Sequence, residues 1–145
     1  MTKNQQGFTR IELVVVIAIL GIVSTFAIPR FVSVFDTAKS ASIERARGAV
    51  ETATKIAYVF GMVNDVQDGV INMDGYSITL VNGYPSADNG DTGTICVAAG
   101  LAGFDCTDNN SDPATVTVSD LSGSCAFTYT EATSSSPVIG ATDCI

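Results

Sequence analysis

Residues 7–13 read Gly7-Phe8-Thr9-Arg10-Ile11-Glu12-Leu13, and from Leu13 to Ile28 the chain runs LVVVIAILGIVSTFAI. Counted from Phe8 the apolar stretch has 21 residues, interrupted only by Thr9, Arg10, Glu12, Ser24 and Thr25. As an α-helix it reaches roughly 30 Å, about one hydrocarbon core. A removable secretory signal is the rival reading. It needs a cationic start, an apolar run and a small-residue cleavage site after that run. Here Met1–Gly7 is short and polar with one cation, Lys3, and Thr25-Phe26-Ala27 makes a poor cleavage site. Glu12 argues for retention. A carboxylate at the edge of a membrane segment costs about 3 kcal/mol on insertion scales, so it needs a partner. Arg10 lies two residues away, on another helix face, and does not supply one.

Beyond the apolar run, Arg30 to Gly61 reads as a continued helix. Phe31, Val34/Phe35, Ala38, Ala41, Ala46, Val50, Ala53, Ile56/Ala57 and Phe60 recur at three- and four-residue steps. Glu51 and Lys55 form an i,i+4 pair in the favoured order. This spacing predicts a helix half-buried on a sheet, stopped near Gly61 and Asn64. A helix from Phe8 to Gly61 would be about 80 Å long. A compact monomer of 145 residues cannot bury such a rod, so its apolar half requires a membrane or further copies of the chain.

After Gly61 the texture changes to short strands and turns. Val70–Met73 and Tyr76–Val81 flank Asp74-Gly75, a type I′ hairpin signal. Asn82–Pro85 and Ala87–Gly93 read as loops, and Thr94–Leu101 is either a short strand or a short helix. Thr115–Leu121 and Cys125–Glu131 predict a second hairpin. The expected class is α+β, a long helix packed on an antiparallel sheet. The expected organisation is 1–7 leader, 8–29 membrane half of the helix, 30–61 amphipathic half and 62–145 head.

Charge is segregated. All seven Lys and Arg residues lie at or before Lys55, whereas 11 acids and no cation follow it, in a chain of net charge −8. An acidic head repels nucleic acid, whose binding rests on phosphate neutralisation. There is no His. Catalysis and metal binding that depend on imidazole are therefore excluded, and no catalytic set is apparent. Cys96, Cys106, Cys125 and Cys144 all fall in the acidic half without a C-x-x-C, which favours disulfides over zinc. Four cysteines allow three pairings.

The segment Gly7-Phe8-Thr9-Arg10-Ile11-Glu12-Leu13 with its apolar run resembles the class III signal of type IV pilins and pseudopilins. The resemblance implies cleavage after Gly7 by a prepilin peptidase and N-methylation of Phe8. It gives Glu12 the family's assembly role, pairing with the N-terminal ammonium of Phe8 in a neighbouring subunit. It places Gly21 and Pro29 where the family's helix kinks or melts. Arg10 departs from the family, which usually has Leu there. The order of elements resembles the pilin ladle, in which a C-terminal disulfide closes a surface loop. Carried onto this chain, that implies Cys125–Cys144, leaving Cys96–Cys106. Ile28-Pro29-Arg30-Phe31, Asp36-Thr37-Ala38-Lys39 and Gly83-Tyr84-Pro85 resemble mannose-sensitive haemagglutinin (MSHA) type IVa pilins, which implies surface attachment and biofilm formation.

The expectation is a non-enzymatic homopolymer subunit, held in the inner membrane until assembly machinery builds it into an extracellular pilus. The alternative is the major pseudopilin of a type II secretion system. No cofactor is expected. Asp108, Asn110 and Asp112 have the alternate spacing of a calcium loop, but lack its turn Gly and distal Glu. Asp88-Asn89-Gly90-Asp91 is a second acidic turn. Plain solvated turns are the preferred reading of both, with a bound Ca2+ as the alternative.

Overall fold

The computed structural model describes residues 7–88 and 93–145, without the side chains of residues 29 and 31–33. The first six residues of the expected leader, and Asn89, Gly90 and Asp91 of the second acidic turn, lie outside them. The chain divides into two compact units after Ala38. Helix α1, Arg10–Val63, supplies residues to both.

In the first unit, Arg10–Ile28 has a mean hydropathy of 2.7, and none of it is buried. Leu13, Ile17, Leu20 and Ile28 are each more than half exposed. The core helix of a soluble protein of this composition would be covered. The hydroxyls within the run are satisfied along the helix itself, as lipid requires. Ser24 Oγ donates to the Leu20 carbonyl at 2.7 Å and Thr25 Oγ1 to that of Ile22 at 2.8 Å. The helical backbone continues through Gly21 and Pro29.

In the second unit, α1 turns Ile43, Ala46, Val50, Ala53 and Ala57 inward at alternating three- and four-residue steps. This stripe differs from the predicted one at its edges. Ile43 is fully buried, while Ala41, Ile56 and Phe60 face outward. Periodicity marks every apolar position, but it does not say which of two neighbouring ones meets the sheet. The helix ends in a Schellman turn. Asp65 adopts φ 57°, its N–H reaches the Met62 carbonyl at 3.3 Å, and the Val66 N–H reaches that of Gly61 at 2.8 Å. Gly61 is required here. A Cβ would lie 2.7 Å from the Val66 carbonyl oxygen and 2.9 Å from Leu80 Cδ1.

Two antiparallel sheets follow. The first has the order β1 (Gly69–Met73), β2 (Tyr76–Val81), β3 (Tyr84–Pro85). Asp74 and Gly75 both have positive φ, as a type I′ turn demands. Asn82 and Gly83, read from sequence as a loop, form a second turn of the same kind, and Tyr84 and Pro85 pair with Val81 and Leu80. A strand of two residues is too short to show periodicity. After α2 (Ile95–Ala98), the second sheet runs β4 (Phe104–Asp108), β5 (Thr115–Asp120), β6 (Cys125–Thr130), β7 (Val138–Ile139), with β8 (Asp143–Cys144) also on β6. Strand β4 was not predicted, because its two Asp residues and one Cys disguise it. The Ser- and Thr-rich segment after Ala132 contributes the two short strands β7 and β8.

The larger core joins Ile43, Ala46, Val50 and Ala53 of α1 to Val116, Val118, Phe127 and Tyr129 of β5 and β6. The smaller joins Ala57 to Ile71, Ile78 and Leu80. Tyr129 is fully buried and its hydroxyl donates to the Pro85 carbonyl at 2.7 Å. Burial, reinforced by the Glu131 charge, pushes its phenol well above the ordinary range. Of the aromatics of the head, Phe127 and Tyr129 are buried, whereas Phe60 is 44% exposed and Tyr58 stacks on Tyr84 at 4.7 Å. Phe104 packs against the larger core while remaining partly accessible.

Candidate functional site

The N-terminus of α1 gathers Gly7, Phe8, Thr9 and Glu12. Thr9 and Glu12 form a capping box, the Ser/Thr-x-x-Glu pattern in which both helix-end donors are satisfied. The Thr9 N–H donates to Glu12 Oε2 at 2.7 Å, the Thr9 hydroxyl donates to the same oxygen at 2.8 Å, and the Glu12 N–H reaches Thr9 Oγ1 at 3.3 Å. The sequence carries this signal plainly, but the apolar run and the pairing expected for Glu12 masked it. Phe8, Ile11, Glu12, Val15 and Val16 line a shallow hollow of about 300 Å³ beside the carboxylate. Phe8 itself is 90% exposed.

Two glycines here have no structural reason inside the chain. A Cβ added at Gly7 or at Gly21 would meet nothing within 4 Å. The fold therefore does not demand glycine at either position, and a requirement at Gly7 would have to come from something outside the chain.

In the second unit, Cys96 is bonded to Cys106 and Cys125 to Cys144. Cys125 and Cys144 are register partners on β6 and β8, so the bridge closes the C-terminal loop onto the sheet. Three charged residues of α1 hold this region. Arg47 Nε donates to the Gly140 carbonyl at 2.9 Å, the Thr142 hydroxyl donates to Glu44 Oε2 at 2.5 Å, and Lys39 Nζ reaches Ser124 Oγ at 3.5 Å. Sequence reading missed these contacts. Lys39, Glu44 and Arg47 look like ordinary solvent-facing charges, and no local pattern connects them to residues some 90 positions away.

Asp108, Asn110 and Asp112 sit at the end of β4 and in the loop after it. Asp108 Oδ1 accepts the Asn110 N–H at 2.9 Å, a local Asx turn. Asn109 Oδ1 accepts the Ser111 hydroxyl at 2.6 Å. Among the described residues no three His, Cys, Asp or Glu side chains are grouped as a metal set. Asp120 is more specific. Its carboxylate accepts the Ser122 hydroxyl and, at 2.8 Å, the Cys125 N–H, and these bonds hold its pKa down at about 2.

Comparison with known proteins fits this geometry. Residues 2–28 match the family model described as "Prokaryotic N-terminal methylation motif". The chain is 40% identical over 88 residues to the "Type IV narrow pilus major component PilA5" of Thermus thermophilus, covering 60% of this chain and 75% of the relative. It is 29% identical over 92 residues to the "Type IV major fimbrial protein FimA" of Dichelobacter nodosus, covering 63% of this chain and 56% of that protein. No solved structure matches it.

Proposed function

The chain belongs to the type IV pilin family, and from that premise we propose that it is the major structural subunit of an extracellular pilus used for surface adhesion and biofilm formation. The observation that carries this reading is the wholly uncovered apolar segment Arg10–Ile28. Water is not a tolerable environment for that surface, so the segment passes from a lipid phase to a phase made of its own copies.

Processing after Gly7 by a prepilin peptidase would release Phe8 as a free, methylated amine. In the precursor, Glu12 is occupied by Thr9. In the polymer its carboxylate would lie in an apolar core, where a charge is tolerable only when paired. The ammonium of a neighbour's Phe8 supplies that charge, exchanging hydrogen bonds from two neutral donors for an ion pair. Gly21 and Pro29 are the positions where α1 would bend to fit the filament, one with poor helix propensity and the other without an N–H.

Mass spectrometry of the mature chain, with electron microscopy of sheared cell surfaces, tests the proposal. The expected result is a methylated Phe8 terminus in long fibres. A mature chain starting near residue 28 would overturn it. Methylated Phe8 without surface fibres would move the chain to the short filaments of a secretion system.

A further inference from the structure

The end of α1, the turn between β2 and β3 and the loop after β6 line a hollow of about 320 Å³ in the second unit. Its walls are Tyr58, Gln67, Asn82, Tyr84 and three serines, residues 134–136. Among the described residues no Asp, Glu, Lys or Arg lines it, although 11 acids follow Lys55. A volume of this size is at the lower end of small-ligand clefts.

The hollow is held in shape by contacts between segments distant in sequence. The Tyr58 and Tyr84 rings stack at 4.7 Å, 15° from parallel, and both are half-buried. Gly83, at φ 83°, lets Tyr58 lie against the turn, for a Cβ there would come within 3.1 Å of Tyr58 Cδ2. The Tyr84 hydroxyl lies 3.3 Å from Ser136 Oγ, and Asn82 Nδ2 donates to the Ala132 carbonyl at 3.0 Å. The backbone carbonyl of Gln67 accepts the Gly83 N–H at 2.6 Å. A site ordered before its ligand arrives loses less entropy on binding. The side chains of Gln67, Ser134 and Ser135 have no hydrogen-bond partner among the described residues.

A second hollow of about 510 Å³ shares Tyr84 and Ser136 with the first. Its charges are already engaged. Glu51 pairs with Lys55 at 2.8 Å, and Arg47 is held by Glu44 and the Gly140 carbonyl.

The lining chemistry selects a ligand class. Tyr and Ser hydroxyls and Asn and Gln amides each both donate and accept hydrogen bonds, as sugar hydroxyls do. The two tyrosines add apolar ring surface for the C–H groups of a pyranose. A phosphate or carboxylate ligand calls for a cation, which the first hollow lacks. An added peptide strand calls for donors on β3, and Pro85 has no N–H. We propose that the hollow binds a neutral saccharide, with Gln67 and Ser135 bonding its hydroxyls and Tyr58 and Tyr84 packing on its ring. The second hollow takes the next units of an oligosaccharide. This deepens the adhesion reading above, on which its biological use rests, by naming the class of molecule gripped.

The test uses the full chain, in detergent and as sheared filaments, against a panel of neutral, sialylated and sulfated oligosaccharides and Ser-rich peptides. The chain has no Trp and four Tyr, two of them in the hollow, so intrinsic tyrosine fluorescence reports the site. A saturable change with a neutral oligosaccharide is expected, and none with the sulfated ones. Gln67→Ala with Ser135→Ala, on exposed side chains, should lower that affinity about tenfold with the Tm of the head unchanged. Tyr58→Ala should abolish capture on the panel, and Tyr58→Phe should retain it. Absence of any neutral ligand would overturn the proposal. So would charged sugars or peptides binding as well as neutral sugars, or full affinity in the Gln67/Ser135 double variant. Normal filaments that bind no sugar would remove this site and leave the pilus reading. A chain that binds a neutral sugar in detergent yet forms no filaments would remove the pilus reading and leave the site.

Discussion

Glu12 caps its own helix through Thr9 in the single chain and is expected to meet a neighbour's Phe8 in the polymer. The two roles separate by mutation. Thr9→Val removes the cap, costing about 1 kcal/mol of helix stability, but leaves the charge, so filaments should still form. Glu12→Ala should give a processed subunit that assembles poorly, and a normal yield of sheared filaments would end the pairing role. Asp65 is a second informative residue. It holds a left-handed conformation that suits glycine, at a helix C-terminus where negative charge is unfavourable. Asp65→Gly should therefore raise stability by about 1 kcal/mol, seen as a higher Tm of the head. Asp120 sets an acid response. Its folded pKa, about 2, lies below the unfolded value near 3.8, so its contribution is present above pH ~4 and is lost as pH falls toward 2. Asp120→Asn should flatten that limb of a Tm-against-pH curve and leave the neutral region similar in slope.

Element by element, α1 is two helices in its chemistry. Its first part is apolar and uncovered, and its second is a stripe against a sheet. Gly61 shows how packing can reverse a propensity argument. Glycine to alanine inside a helix normally gains about 1 kcal/mol. Here the new Cβ meets a backbone oxygen at 2.7 Å, part of a hydrogen-bonded helix end that cannot shift freely. Overpacking of about 1–3 kcal/mol should win, and Gly61→Ala should lower the Tm of the head. An unchanged or higher Tm would mean the turn relaxes. The strands themselves were unevenly legible. Strands β5 and β6 have alternating β-branched and aromatic residues, and β1–β2 have Asp74-Gly75 between them. Strand β4 reads as a polar loop, since Asp105 and Asp108 are there for its edge position and solvent face rather than for strand propensity.

For the whole molecule, the decisive quantity is apolar surface left uncovered by the chain itself. The full chain should need detergent or lipid, whereas a chain beginning at Arg30 should run as a monomer in plain buffer by size-exclusion chromatography. Aggregation of that shorter chain would show that the head also relies on an apolar surface contact. The Cys125–Cys144 bridge and the contacts of Lys39, Glu44 and Arg47 bind the last twenty or so residues to the rest of the head. Replacing both cysteines by serine should cost about 3 kcal/mol and expose this segment first to limited proteolysis.

The sequence alone determined the apolar rod, its acid at position 12, the α+β order and the oxidised cysteines, because each is written in a local pattern or a composition. It left cysteine pairing open to three choices, and the family resemblance narrowed them. Tertiary structure decided the rest: which helix residues face the sheet, how Tyr84 and Pro85 pair, and which charges of α1 hold the C-terminal loop. Those outcomes depend on residues far apart in sequence meeting in space, and no local period records such a meeting.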